Sequence, residues 1–375
     1  MNYKLTPRFY YTLPFWSYFK FRSCPSSTYF VNTRINLNSA RSGLRLLLSS
    51  ISNESLKIGI QVFTCHTVFQ AIVKAGHTPV FIDVDFNFQI DLEDLKIKVG
   101  DIDSLKITHT FGFPEKIDEI KNIVGKKIII EDCAHSFLSK INGINTGNLS
   151  DAAIFSTGLA KYPSIGAGGF CLINNKKMFP FFKKEYEKLN KYGFLQSSVS
   201  FVKALLLSIL MKSPFYGTIT YSFGKKLDSR LDFADKFSFR ESLSPKWVKR
   251  VFDANSLNFE KTRSKQKKNA NYLFSLLKSS IKVVRISSNF EPNFYVFPIL
   301  IQKRDQLFNE LLINNIEPGK HFSKSITWAM DFGYEPGNCL KTEVIVKQIL
   351  TLPIHQAVSK KCIRKMAEIV NKYAQ

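Results

Sequence analysis

From residue 35 to about 175 the chain alternates short apolar runs with segments of helical spacing, and that order admits few folds. Ser39 to Ser50 (SARSGLRLLLSS) opens on a cap-like serine and carries leucines at helical spacing. IGIQVF follows as a strand, and VFQAIVKAG as a helix ending at Gly76. TPVFIDVD reads as a strand closed by an acidic turn, LKITHTFG as a strand ending in a glycine turn, and IDEIKNIVG as a helix. KKIIIEDCA and DAAIFST are further strands, and the loop GLAKYPSIGAGG leads into the strand FCLINN. Strands that are apolar along their whole length, with helices between them, predict a mostly parallel central sheet covered by helices on both faces. In such α/β sheets ligands bind at the carboxyl ends of the strands, so polar residues placed there carry the most information.

A single core stops growing near ~250–300 residues, so 375 residues predict a large domain with a smaller one attached. Residues 180 to 275 read as helical, interrupted at Pro214, Gly217 and Gly224. KTRSKQKKNANYLFSLLKS forms a long helix leading out of this region. The pattern then changes to a strand (FYVFPILI), a helix (RDQLFNELLINNI), a strand (ILTLPIH) and a closing amphipathic helix (VSKKCIRKMAEIVNKY). The expected division is a large α/β domain over 1–261, with a helical insertion near 180–261, and a small α+β domain over 262–375.

Charge narrows the partners less than it first suggests. Lys and Arg number 53 against 30 Asp and Glu, a balance of +23, which suits nucleic acid, an anionic membrane surface or a phosphorylated substrate alike. The lysines are scattered, with no arginine-rich arm or zinc-finger spacing, so nucleic acid is not expected as the main partner. Cys24, Cys65, Cys133, Cys171, Cys339 and Cys362 lie far apart without a CxxC pair, which predicts reduced thiols in a cytoplasmic protein and no metal site. The N-terminal residues are broken by Pro7 and Pro14 and do not read as a signal peptide. The longest apolar stretch, Val199 to Met211, is interrupted by Lys203 and is shorter than the ~17–25 residues of a span, although a face resting on a membrane stays open.

Three polar groups fall at predicted strand ends or in the loop beyond: Glu131 to His135 (EDCAH), Ser156, and Lys161. Taken singly, each has a plain reading. An aspartate after a strand is often a turn former, a loop lysine is usually a surface lysine, and the Gly166 to Gly169 run can be only a flexible turn. Together they suit pyridoxal phosphate. Asp132 is placed to keep the pyridine nitrogen protonated, and the Lys161 amine to form a Schiff base with the aldehyde and then move the proton. Ser39, Ala40, Arg41 and Ser42 open a helix whose N–H groups suit a phosphate, with Ser156 as a second hydroxyl.

In this order the chain resembles the DegT/DnrJ/EryC1/StrS family of pyridoxal-phosphate-dependent sugar aminotransferases. The resemblance runs from about residue 35 to 175 through AGHTPVFIDVDFNFQID, HTFGFPEKIDEI, IIIEDCAHSF, GNLSDAAIFSTGLAK and IGAGGF, and resumes at ILTLPIH. It implies the fold-type-I aminotransferase-like architecture, with a mostly parallel central sheet and a smaller C-terminal α+β domain. It places the ring-nitrogen aspartate at Asp132, a contact to the ring oxygen at His135, a phosphate-contacting serine at Ser156 and the Schiff-base lysine at Lys161. The position of the ring-stacking aromatic falls on Cys65, with Phe63 or His66 as substitutes. The chain also departs from the family pattern at Ala40 and Arg41 in the helix start, at Ala167 in the glycine turn, and in the helical stretch 194–230.

The implied function is transfer of an amino group from an amino acid, glutamate by resemblance, to a nucleotide-linked keto-sugar in surface polysaccharide, lipopolysaccharide or related sugar biosynthesis, by a homodimer. Two alternatives stand beside it. One is the family's dehydratase branch, in which histidine replaces the lysine. The other is a degenerate, non-catalytic member serving as a structural or interaction subunit.

Overall fold

Seven strands make the main sheet of the computed structural model, which describes residues 4–20, 34–222 and 241–374. They are β1 (Ile35–Leu37), β2 (Lys57–Gln61), β3 (Thr78–Ile82), β4 (Ser104–Thr108), β5 (Ile128–Asp132), β6 (Ala152–Ser156) and β7 (Gly169–Ile173). Their spatial order is β1-β7-β6-β5-β4-β2-β3. The strands β2 to β6 run parallel, as the apolar runs predict. The strand β7 turns back antiparallel on β6, and β1 pairs antiparallel with β7 at the edge.

Successive residues of a strand face opposite sides of the sheet, and each side has its own helices. Ile58, Ile60, Ile130 and Ile154 meet α1 (Ala40–Ser49) and α2 (His66–Lys74). Leu105, Ile107 and Ile129 meet α3 (Leu92–Lys98) and α4 (Ile117–Val124) on the other face. These strand residues are almost fully buried, each worth roughly 1.5–3 kcal/mol on removal from water. Both faces being covered, the polar side chains at the strand ends are held against a rigid frame.

The expected helical region contains α5 (Phe179–Glu187), α6 (Phe194–Leu210), α7 (Lys246–Ala254) and α8 (Ser256–Leu276). Gly224, Cys24 and part of the 194–230 stretch lie outside the described residues. The helix α8 runs without a break through residues 261 and 262. After it, β8 (Lys282–Val283), β9 (Phe297–Leu300) and β10 (Ile349–Leu352) form an antiparallel sheet in the order β8-β9-β10. The helices α9 (Arg304–Ile313), α10 (Ser325–Met330), α11 (Leu340–Gln348) and α12 (Lys360–Asn371) complete this part, with α12 packed on α8.

A small sheet ties the two parts together, Phe290–Glu291 pairing with Lys140–Ile141. Beside it, the Asn293 amide donates to the carbonyls of His135 (2.7 Å) and Phe137 (3.0 Å), which fixes the chain just after β5. Cys65, Cys133, Cys171, Cys339 and Cys362 are free thiols. No described helix is long and apolar enough to cross a membrane.

Candidate active site

Strand β5 ends with Asp132 in register with Thr108 of β4, so the two side chains share a sheet face with Lys106, two residues earlier on β4. Lys106 is fully buried, and its amine lies 2.8 Å from Asp132 Oδ2 and 2.5 Å from Thr108 Oγ1. The other carboxylate oxygen, Oδ1, accepts the Ala134 N–H at 3.0 Å. Burial alone would raise the Asp132 pKa, but the Lys106 charge and hydrogen bond, the Ala134 N–H and the Lys161 charge together hold it below its ordinary value. Asp132 is thus an ionised carboxylate that already has a resident cation.

Glu131, one residue earlier, points the other way and serves the scaffold. Its oxygens accept His109 Nε2–H (2.9 Å), Gly147 N–H (2.7 Å), Leu149 N–H (3.0 Å) and the Ser150 hydroxyl (2.9 Å). His109 and Glu131 are thus joined by a hydrogen bond with the Cys133 thiol beside them, and the glutamate oxygens are already occupied by donors.

The next turn presents His135, whose Nδ1 accepts the Phe111 N–H at 3.3 Å. A neutral imidazole that accepts at Nδ1 carries its proton at Nε2. His135 Nε2 lies 2.9 Å from Lys161 Nζ, and in the unprotonated form of the amine the imidazole N–H donates to it. Both pKa directions agree. Burial lowers His135 well below its usual value, with Lys161 adding to the effect. Burial also lowers Lys161, against the opposing influence of Cys65 and Asp132. The backbone before the lysine is constrained too: Ala160 has φ +57°, a conformation uncommon for residues with a Cβ, and its carbonyl accepts the Tyr295 hydroxyl.

Ser39 caps α1, its hydroxyl accepting the Ser42 N–H at 3.2 Å. The first N–H groups of the helix, from Ala40 onward, have no intrahelical carbonyl to bond. Gly169 of β7, in register with Ser156 of β6, brings this helix start to the strand ends. A Cβ on Gly169 would lie 2.5 Å from the Ala40 nitrogen, so the absence of a side chain is what permits the approach. The start of α1, with Ala40 and then Arg41, and Ser156 are in this way gathered around Gly169. Arg41 is pulled down by burial, with Cys65 opposing, so Cys65 lies within electrostatic reach of both Arg41 and Lys161.

Cys65 is the N-cap residue of α2. The two aromatic substitutes for it are both packed against other rings. Phe63 is fully buried against Phe88, Phe111 and Phe322, and the His66 ring packs edge-on against Trp328 and Phe332. Both are engaged in apolar packing. The rings stacked on His135 are Tyr295 (4.5 Å between centroids, planes at 20°), Phe322 (5.7 Å, 12°) and Phe111 (6.1 Å, 5°).

Sequence reasoning passed over four residues of the site, namely Lys106, Tyr295, His321 and Phe322. Lys106 leaves a trace, since a lysine inside the buried strand SLKIT breaks an otherwise apolar run. Tyr295, His321 and Phe322 lie more than 150 residues from His135 in the chain and have no local signature. The His321 ring donates from Nδ1 to Thr351 Oγ1 (2.6 Å), because that hydroxyl gives its own proton to the Gly319 carbonyl. Nε2 is left as a buried acceptor with no partner among the described residues, and burial, with Arg8 and Lys161 adding to it, pushes the pKa to about 3.

These features fit pyridoxal phosphate. A buried amine of lowered pKa suits its aldehyde, the Asp132 carboxylate its ring nitrogen, the Nε2–H of His135 its ring oxygen, and the helix start with Ser156 its phosphate. The unpartnered Nε2 of His321 marks a polar position that a bound molecule would satisfy.

Comparison with known proteins agrees with this geometry. The model of the DegT/DnrJ/EryC1/StrS aminotransferase family matches residues 29–204 and 257–371. GDP-perosamine synthase of Escherichia coli O157:H7 is 29% identical over 140 residues, which span 36% of this chain and only 38% of that relative. Among solved structures, AtS13 from Actinomadura melliaura superposes with a TM-score of 0.74 at 16% identity, covering 98% of each chain. The sugar aminotransferase Spr1654 from Streptococcus pneumoniae, described as putative and in its PMP form, gives 0.73 at 16% identity, covering 93% of this chain and 89% of that one. The architecture is that of fold-type-I aminotransferases, the cofactor is pyridoxal phosphate, and the chain belongs to the DegT/DnrJ/EryC1/StrS aminotransferase family.

Proposed function

We propose that this protein moves an amino group from an amino acid, glutamate in our reading, to a nucleotide-linked keto-sugar destined for surface polysaccharide. The observation that carries the proposal is the Lys161 amine, lowered in pKa by burial and held 2.9 Å from His135 Nε2 beside the ionised Asp132. Bound pyridoxal phosphate supplies an aldehyde for amines and a ring that takes up the electron pair released when a Cα–H bond breaks. Lys161 is the base that receives that proton and returns it at the carbon to be aminated. Asp132 holds positive charge at the ring nitrogen, and His135 orients the amine. The name of the Escherichia coli relative, a GDP-linked sugar synthase, supports a nucleotide-linked acceptor.

The retained lysine favours amino transfer over the dehydratase reading, and the ordered network around it favours an enzyme over a degenerate subunit. A Lys161→Ala protein should lose the visible absorbance of bound cofactor, lose the borohydride-fixed mass on the peptide containing residue 161, and drop at least about 100-fold in transamination. Normal turnover by this variant, assayed as 2-oxoglutarate release with keto-sugar nucleotides, would refute the role of Lys161.

A homodimer belongs to the same reading. It is supported by an exposed apolar ridge on α6, where Leu195, Val199, Val202, Leu206 and Ile209 fall along one narrow stripe. Light scattering at micromolar concentration should report twice the chain mass, and a monomer there would count against it.

A further inference from the structure

Lys106 stands in the candidate site, yet the proposed amino transfer gives it no step. It lies inside β4 between Leu105 and Ile107, and its side chain is 0% exposed. Burying a charged amine is costly unless it is paired and hydrogen-bonded, and a fold that needed only packing here would be served by an apolar side chain. The amine meets two acceptors, Asp132 Oδ2 at 2.8 Å and Thr108 Oγ1 at 2.5 Å. Thr108 is fixed in turn: its N–H donates to Gln61 Oε1 at 2.5 Å, and Gln61 Nε2 donates to Glu115 Oε1 at 2.6 Å. A buried polar network thus anchors the amine beside Asp132.

This pairing bears on the ring nitrogen of the cofactor. A carboxylate stabilises a proton on a neighbouring nitrogen through its negative charge. Here both oxygens already accept, Oδ1 from the Ala134 N–H at 3.0 Å and Oδ2 from Lys106, so less of that charge is offered to a third donor. The Lys106 ammonium also repels a second positive charge brought to the same carboxylate. The other titratable groups around Asp132 and Lys161 are His135, His321 and Cys65. Burial holds both histidines below their usual range, so near neutral pH they add no charge.

We infer that Lys106 is a positioning residue that tunes the reaction: by occupying Asp132 it loosens that carboxylate's hold on the ring-nitrogen proton, and the ring draws electrons less strongly than it would opposite an unpaired aspartate. The inference rests on the proposed pairing of Asp132 with the ring nitrogen. Its consequence is selectivity among reactions. A strongly withdrawing ring keeps the electron pair from a broken Cα–H bond long enough for a group on the neighbouring carbon to leave, whereas a weaker one favours prompt return of the proton by Lys161. Lys106 in this way favours amino transfer over elimination.

The test reads the ring nitrogen itself. Protein loaded with pyridoxal phosphate isotopically labelled at that atom reports its protonation as a nitrogen chemical shift, followed against pH. In wild type the ring nitrogen should lose its proton within the pH range in which the protein stays folded. Lys106→Met should move that loss to higher pH by about one unit or more, and Lys106→Arg, which keeps the charge, should leave it near wild type. Coincident curves for wild type and Lys106→Met would overturn the inference. Asp132→Asn should move the loss to lower pH. If it moves nothing, Asp132 is not the partner of the ring nitrogen and the proposed site falls too; if Asp132→Asn shifts the curve and Lys106→Met does not, only the role of Lys106 falls. Should Lys106→Met fail to fold, wild type decides alone: a ring nitrogen protonated at every pH at which the protein stays folded overturns the inference.

Discussion

Lys106 alters what Asp132 can do. An isolated carboxylate beside a pyridine nitrogen would be neutralised only by the ring, whereas here both partners of a buried ion pair are in place, with side chains 0% and 6% exposed. Removing one member of such a pair typically costs about 3–5 kcal/mol, because the other is left charged and dry. We therefore expect Lys106→Met to lower the urea-unfolding free energy by roughly that amount. Combining it with Asp132→Asn should cost much less than the sum of the two single changes, and additivity within error would mean that the pair is not coupled. The same substitution has a pH signature. A protonated amine cannot attack an aldehyde, and the depressed pKa of Lys161 keeps its neutral form present to lower pH than an ordinary lysine, for which 10.5 is usual. The Lys106 charge is one of the causes that lower it. Without that charge the Lys161 pKa should rise, so the rate of borohydride-trapped cofactor capture plotted against pH should move to higher pH in Lys106→Met. A profile that stays in place would show that Lys106 does not act on the amine.

At the level of elements, the meeting of α1 with β7 sets the geometry around the phosphate candidates. A Gly169→Ala side chain would press on backbone, 2.5 Å from the Ala40 nitrogen and 2.6 Å from the Phe155 carbonyl oxygen, so α1 would have to back away from Ser156. The expected effect is ~1–3 kcal/mol of lost stability together with weaker retention of the cofactor on dialysis. Gly158→Ala is the control, since a Cβ there meets only Ser156 Oγ at an ordinary 3.6 Å. Equal retention by the two variants would remove the packing argument. This junction also shows what was readable in advance. The strands β2 to β7 and the helices α1, α2 and α4 were legible because apolar periodicity is a local property, and Asp132, His135, Ser156 and Lys161 were legible because a parallel sheet collects its strand ends. The edge strand β1 escaped because three residues carry no period. The helix α3, with its LEDLKIK sequence, escaped because only Leu95 is buried along it. The rings around His135 escaped because Tyr295 and Phe322 arrive from the C-terminal part, and no spacing within either segment encodes that meeting.

The molecule as a whole depends on a cap exchanged between its two ends. The helix α11 starts at Leu340 behind Cys339, which provides no side-chain bond to the free N–H groups of the first turn. Asp83, just beyond β3 in the main sheet, supplies it instead. One oxygen accepts the Lys341 N–H at 2.8 Å, and the other accepts the Thr342 N–H at 2.8 Å and the Thr342 hydroxyl at 2.6 Å. Lys341 pairs with Asp91 alongside, and the Lys98 amine donates to the Asn338 carbonyl at 3.0 Å. Asp83 is 6% exposed and Thr342 fully buried, so water cannot replace these bonds without opening the contact. An ordinary N-cap contributes about 1 kcal/mol, and each orphaned buried donor costs about 1–3 kcal/mol, which puts Asp83→Ala at roughly 2–4 kcal/mol. The loss should be unevenly distributed, because the capped helix packs with the C-terminal elements while the cap belongs to the sheet. Calorimetry of Asp83→Ala should then resolve an early transition that wild type lacks, with proteolytic cleavage near residues 335–345 appearing in the same temperature range. Asp83→Asn, which retains acceptor oxygen at one position, should fall between the two. A single transition at the wild-type temperature would mean that the two parts are joined by their shared apolar core alone, and that this long-range cap has no part in their cooperativity.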